Sequence, residues 1–171
     1  SDKGKVDPGI AAAAPAKAAP PPFDPRSVAP AQDDLVAWHG IVLQRVRSGD
    51  LDGALRDLEA LEARGRESAV ARRLARDLER LKAFVALRQA YFAALIASGE
   101  KKTFEHDGKK LVARVVAVEG GRVRLGENRQ NVESLALEEF TPVEIARDLP
   151  KSVMDSEIGW IRNYAFVLED D

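Results

Sequence analysis

The 171-residue sequence has no cysteine, one methionine, two histidines and only 6% aromatic residues. Without thiols there are no disulfides, no thiolate nucleophiles and no zinc sites of the cysteine type, while the redox compartment stays open because a cysteine-free chain works in any. An excess of one charge is missing too: 26 basic against 28 acidic side chains leave a formal net charge of −2. The chain as a whole therefore has no field that selects nucleic acid or an anionic membrane. Apolar runs are short and broken by Arg or Gln, well below the roughly 18 residues of a bilayer span. The expectation is a soluble chain without membrane insertion, either cytoplasmic or exported as part of a larger protein.

What is present divides by composition. Residues 1–31 hold seven of the nine prolines and long alanine runs, with Phe23 and Val28 almost their only large apolar side chains. Such a stretch buries too little surface to offset its ordering entropy, so it reads as a disordered, extended linker. Ser1 is not an initiator methionine, and the chain reads as a segment of a longer polypeptide. From Leu35 the apolar residues recur at helical spacing through Trp38, Ile41, Val42 and Val46 until Gly49. Asp50 is an N-cap for a second helix with Leu51, Ala54, Leu55, Leu58 and Leu61 on one face, ended by Gly65. A third helix runs from near Ser68 to Ser98, with Val70, Leu74, Leu78, Leu81, Val85, Phe92 and Leu95 as its stripe.

The period then changes. Lys102 to His106, Leu111 to Val118, Arg122 to Leu125 and Val132 to Leu137 read as strands, joined at Asp107-Gly108 and Gly120-Gly121 by tight turns that demand positive φ. Thr141 to Glu144 is a capping box with proline at the first helical position, so a short helix follows, stopped by Pro150. A last helix from Ser156 to Leu168 is apolar on almost all sides and is expected to be buried. If Ile158, Ile161, Ala165 and Leu168 face inward, Trp160, Tyr164 and Val167 face whatever comes next. The expected fold class is α+β. Its parts are the linker, a helical region 32–99, a small antiparallel β-barrel-like unit with closing helix 100–150, and a C-terminal helix 151–171 packing back on the helical part.

Residues 35–65 resemble a tetratricopeptide repeat. Trp38 and Ala54 stand at the family spacing of an aromatic in the first helix and an alanine where the helices cross, and Ile41 and Leu58 fit as well. Val42 departs from the pattern where a small residue is usual, and Arg45 where an aromatic is usual. The β unit is similar to an SH3-like barrel. The whole order resembles accessory regions of multidomain bacterial signalling proteins such as serine/threonine kinases, which implies a part in binding or positioning.

Chemistry finds no constellation. His39 and His106 lie 67 positions apart with no serine or carboxylate at a spacing that makes a triad or a metal site, so both read as surface or half-buried histidines. No cofactor, metal or catalytic residue is expected. Charge is nevertheless uneven: residues 100–132 hold eight basic and five acidic side chains, whereas residues 133–171 hold three basic and ten acidic. Arg122 and Arg124 are the candidate contacts for an acidic partner or nucleic acid, or the solvated side of a half-buried sheet. The functional expectation is a non-enzymatic protein-interaction or scaffolding module, binding a protein partner or adjoining domains of its own polypeptide through Trp160, Tyr164 and Val167. A nucleic-acid-binding module using the basic strands is the alternative.

Overall fold

The structure, a computed structural model, describes residues 32–127 and 132–170; the expected linker over 1–31 lies outside the described residues. Three helices come first: α1 (Gln32–Arg47), α2 (Leu51–Gly65) and α3 (Ala71–Ser98). The α1–α2 break falls where glycine and the cap stand together. Gly49 has φ +89°, a conformation that L side chains rarely adopt, and Asp50 accepts the Gly53 N–H at 2.9 Å. A Cβ on Gly49 would also lie 2.0 Å from the Glu138 carbonyl oxygen, so the hairpin turn presses directly on the backbone beyond the sheet. Leu35, Trp38, Val42, Val46, Leu51, Ala54, Leu58 and Leu61 are all buried in this hairpin.

At 1.5 Å per residue, α3 is about 42 Å long and ends at Gly99 in the left-handed conformation. Its buried stripe differs from the expected one. Val70, Leu78 and Val85 are only half-buried, while Phe84, Leu87 and Tyr91 are buried. The reason is that α3 packs against α2 on one side and against the sheet and the C-terminal elements on others, so no single helical face describes it. By length and composition α3 could also pass for a membrane span, but Phe84, Leu87, Tyr91, Phe92 and Leu95 are buried by the rest of the chain.

The four strands β1 (Lys102–His106), β2 (Lys109–Glu119), β3 (Arg122–Gly126) and β4 (Val132–Ala136) form an antiparallel meander in chain order. Both glycine turns have positive φ as expected, including Asp107 at 50°. The inner face, with Phe104, Ala113, Val115, Val123, Leu125 and Leu135, is buried, and β2 packs on α3. A run of edge-to-face rings crosses this layer, from Tyr91 to Phe92 (5.0 Å), Phe140 (5.1 Å) and Phe104 (6.0 Å). β2 is central, but only one of its faces is covered, since Val112 and Val116 remain exposed.

The sheet is not closed into a barrel. After β4 the chain enters a 3-10 turn (Leu137–Glu139) and then α4 (Pro142–Arg147), whose capping box at Thr141 and Glu144 is formed. No fifth strand joins β4 to β1 among the described residues. The chain then forms α5 (Lys151–Met154), a 3-10 turn (Gly159–Ile161) and α6 (Arg162–Asp170). The last helix is thus shorter than expected and starts as a tighter coil. Gly159 explains this: a Cβ there would lie 2.0 Å from the Met154 carbonyl oxygen, an approach that helical backbone from Ser156 onward would not make. α6 lies along α4 and also touches α1 and α3, so it does return to the helical part.

Candidate interaction site

The surface of the C-terminal segment follows from its two-sided packing. Ile161, Ala165 and Leu168 are buried and Ile158 is half-buried, which fixes the inward side. Trp160 is 62% exposed and Val167 55% exposed, with exposed Met154 in the neighbouring turn. A helix apolar almost all round is therefore not buried all round, contrary to expectation, because α1, α3 and α4 cover one side of it only. Tyr164, expected beside Trp160 and Val167, is half-buried instead. Its ring lies 5.4 Å from the Arg80 guanidinium. Burial, with the Asp77 charge, pushes its hydroxyl up to about 12, against the opposing pull of Arg80 and Arg73.

Arg122 and Arg124 are both exposed on the outer face of the sheet. Arg122 donates to the Ser134 hydroxyl and carbonyl oxygens, each at 2.6 Å, and Arg124 pairs with Glu119 at 3.6 Å. Both are thus engaged by the sheet itself. Phe104 and Phe140 point into the core, so the basic face has none of the stacking rings that single-stranded nucleic acid uses. The two groups of predicted residues lie on different elements, β3 for the arginines and the segment 159–170 for Trp160, Tyr164 and Val167.

A third surface was not visible in the sequence. Between β1, β4 and α4 lies a slot of about 170 Å³, with Tyr91, Phe104, Leu135 and Phe140 below and Glu105, Glu139, Glu144 and Asp148 around it. Two side-chain bridges cross its ends. Lys102 donates to Asp148 at 2.5 Å, and His106 Nδ1 donates to Glu139 at 2.5 Å. The Tyr91 hydroxyl also donates to Asp148 at 2.9 Å, and burial together with that carboxylate raises it far above the ordinary tyrosine value.

A buried charge pair and a buried arginine with an exposed carboxylate partner also escaped sequence reasoning. His39, expected near the surface, is 6% exposed, and its Nε2 donates at 2.9 Å to Asp77, itself 6% exposed. Burial pushes the Asp77 carboxyl up, but the His39 hydrogen bond and the His39, Arg80 and Arg73 charges together hold it below the ordinary aspartate value. Arg88 is buried and donates to Asp52 at 2.8 Å. The signal was positional: His39 falls in step with Leu35, Val42 and Val46, and Asp77 with Leu74, Leu81 and Phe84. A polar residue inside an apolar stripe needs a buried partner.

Comparison of the chain with protein-family models, with curated proteins and with solved structures finds no match in any of the three.

Proposed function

We propose that this chain is a non-enzymatic protein-interaction module, which docks a protein partner, or an adjoining part of its own polypeptide, over the apolar surface around Trp160. The observation that carries this reading is Trp160 standing 62% exposed on a segment whose opposite side buries Ile161, Ala165 and Leu168. Covering that indole removes on the order of 150 Å² from water, a contribution of roughly 3 to 4 kcal/mol at about 25 cal/mol per Å². Val167 and Met154 widen the surface, and uncovered apolar patches on soluble chains mark interfaces.

The tetratricopeptide-like character of α1 and α2 belongs to the same reading, because such hairpins are binding scaffolds. Trp38 and Ala54 occupy buried positions at the repeat spacing. Nucleic acid is the weaker alternative, because the basic face is engaged by Ser134 and Glu119 and lacks rings. The test is a photo-crosslinking residue at position 167 in cells, with exposed Arg56 on α2 as the control position. The expected result is a discrete protein adduct at 167, absent at 56 and lost on Trp160→Ser. Equal labelling at both positions, or a salt-dependent shift with an oligonucleotide in place of any adduct, would overturn the reading.

A further inference from the structure

The slot beside β1 combines three features that the surface around Trp160 lacks. The first is an unpaired backbone edge. β1 pairs with β2 alone, and among the described residues no backbone hydrogen bond from another element reaches it. An edge strand presents alternate N–H and C=O groups outward as a template for another strand. The edge is also undistorted, with no proline and a continuous register from Lys102 to His106.

The second feature is the apolar lower wall. Phe104 and Phe140 are in edge-to-face contact and Leu135 lies on β4, so a side chain entering the slot meets a packed apolar surface. The third is charge. Four carboxylates line the slot, and Lys102 and His106 are the basic groups that bridge its ends. Among the described residues Glu105 has no side-chain hydrogen bond or ion pair, while Glu139 and Asp148 are held by the two bridges, which a stronger cation could replace.

We infer that β1 is the docking edge for an extended basic segment of a partner protein, which adds as a strand beside it, places apolar side chains over Phe104 and Leu135, and sets lysine or arginine against Glu105, Glu139, Glu144 and Asp148. Strand addition supplies the main-chain hydrogen bonds, and the slot selects alternate side chains. The basic character of the partner follows from the carboxylates, because a neutral or acidic strand would gain only the edge bonds and would meet like charge. This surface lies apart from Trp160, so the inference does not depend on the reading above.

The test uses a capped, fluorescein-labelled octapeptide of alternating Lys and Val with the full chain, read by anisotropy. A Glu-Val octapeptide and two Lys-Val versions N-methylated at alternate residues, one in each phase, serve as controls. A strand uses only every second N–H toward its neighbour. Strand addition therefore requires that one N-methylated phase lose at least tenfold in affinity while the other stays within about threefold. Glu105→Lys, at an exposed position, is expected to weaken binding about tenfold with the circular dichroism spectrum unchanged. Trp160→Ser is expected to leave it unchanged, and amide shifts are expected to centre on residues 103–105. Absence of binding, equal loss for both N-methylated phases, or shifts centred elsewhere would overturn the inference. So would sedimentation showing that β1 pairs with a second copy of the chain and that Glu105→Lys abolishes this pairing.

Discussion

Replacing His39 by leucine removes one partner of a buried pair and leaves the other in place. Deleting one member of such a pair ordinarily costs about 3 to 5 kcal/mol, because the remaining charge is left uncompensated. Here Asp77 keeps Arg80 at 3.5 Å and Arg73 at 3.9 Å, both on exposed side chains whose attraction is screened by water. The expected cost of His39→Leu is therefore lower, about 2 to 3 kcal/mol. Asp77→Leu leaves a buried imidazole N–H without an acceptor and is expected to cost about 1 to 3 kcal/mol. The double variant removes both polar groups and fills the space with aliphatic carbon, and buried pairs replaced in this way are often neutral. It is expected to cost no more than about 1 kcal/mol, well under the sum of the single changes. Urea unfolding followed by far-ultraviolet circular dichroism measures all three, with an unchanged denaturant slope showing that the unfolded state is comparable. Single variants that each cost less than about 0.5 kcal/mol, or costs that simply add, would show that the pair does not tie α1 to α3.

Acidification probes the same carboxylate from another side. Asp77 holds its proton less tightly when folded than its unfolded value near 3.9 implies, so its contribution is complete above about pH 4 and is lost as pH falls through the lower folded value. The melting temperature of the parent is expected to fall more between pH 5 and 2.5 than that of Asp77→Leu, and parallel curves would refute this. Trp38→Ala, at a 4% exposed position, is expected to cost about 3 to 5 kcal/mol, whereas Trp160→Ser is expected to change stability by no more than about 0.5 kcal/mol, as exposed substitutions do; equal effects would refute the assignment of one to the core and the other to the surface. Gly49→Ala forces a Cβ into both a positive φ and the Glu138 carbonyl, and a loss of about 2 to 3 kcal/mol is expected in the same urea assay; a neutral result would show that the hairpin turn does not press on that backbone.

What could be read beforehand was local. Gly49 with Asp50, Asp107 with Gly108, Gly120 with Gly121, and Thr141 with Glu144 each act within a few residues, and each lies where the chain breaks or turns as expected. The α+β order and the exposed side of Trp160 followed from the same periodicity. What could not be read was pairing at a distance. His39 finds Asp77 across 38 residues and His106 finds Glu139 across 33, and nothing in either neighbourhood names the partner. The slot is illegible for the same reason, since it is made by β1, α3, β4 and α4 together. The break in the last helix falls at Gly159, a glycine visible within the expected helix, but the Met154 carbonyl that requires it there is a group every residue carries and could not be singled out.

The bond from Arg47 Nε to the Leu168 carbonyl, 2.6 Å long, joins the end of α1 to α6 over 121 residues. The α1–α2 and α2–α3 pairs and the pairing of each strand with the next are instead made between neighbours in the chain. Closing a loop of that size in an otherwise unfolded chain costs about 4 kcal/mol of entropy from its length dependence alone. The hairpin and the meander close far shorter loops, so the return of the C-terminal segment to α1 carries the larger closure cost. Opening of α6 alone would uncover Ala165 and Leu168, so their exchange with solvent measures whether this return is a step separate from global unfolding. A partner that covers Trp160, in the turn just before α6, would therefore also hold the start of the helix whose return closes this long loop.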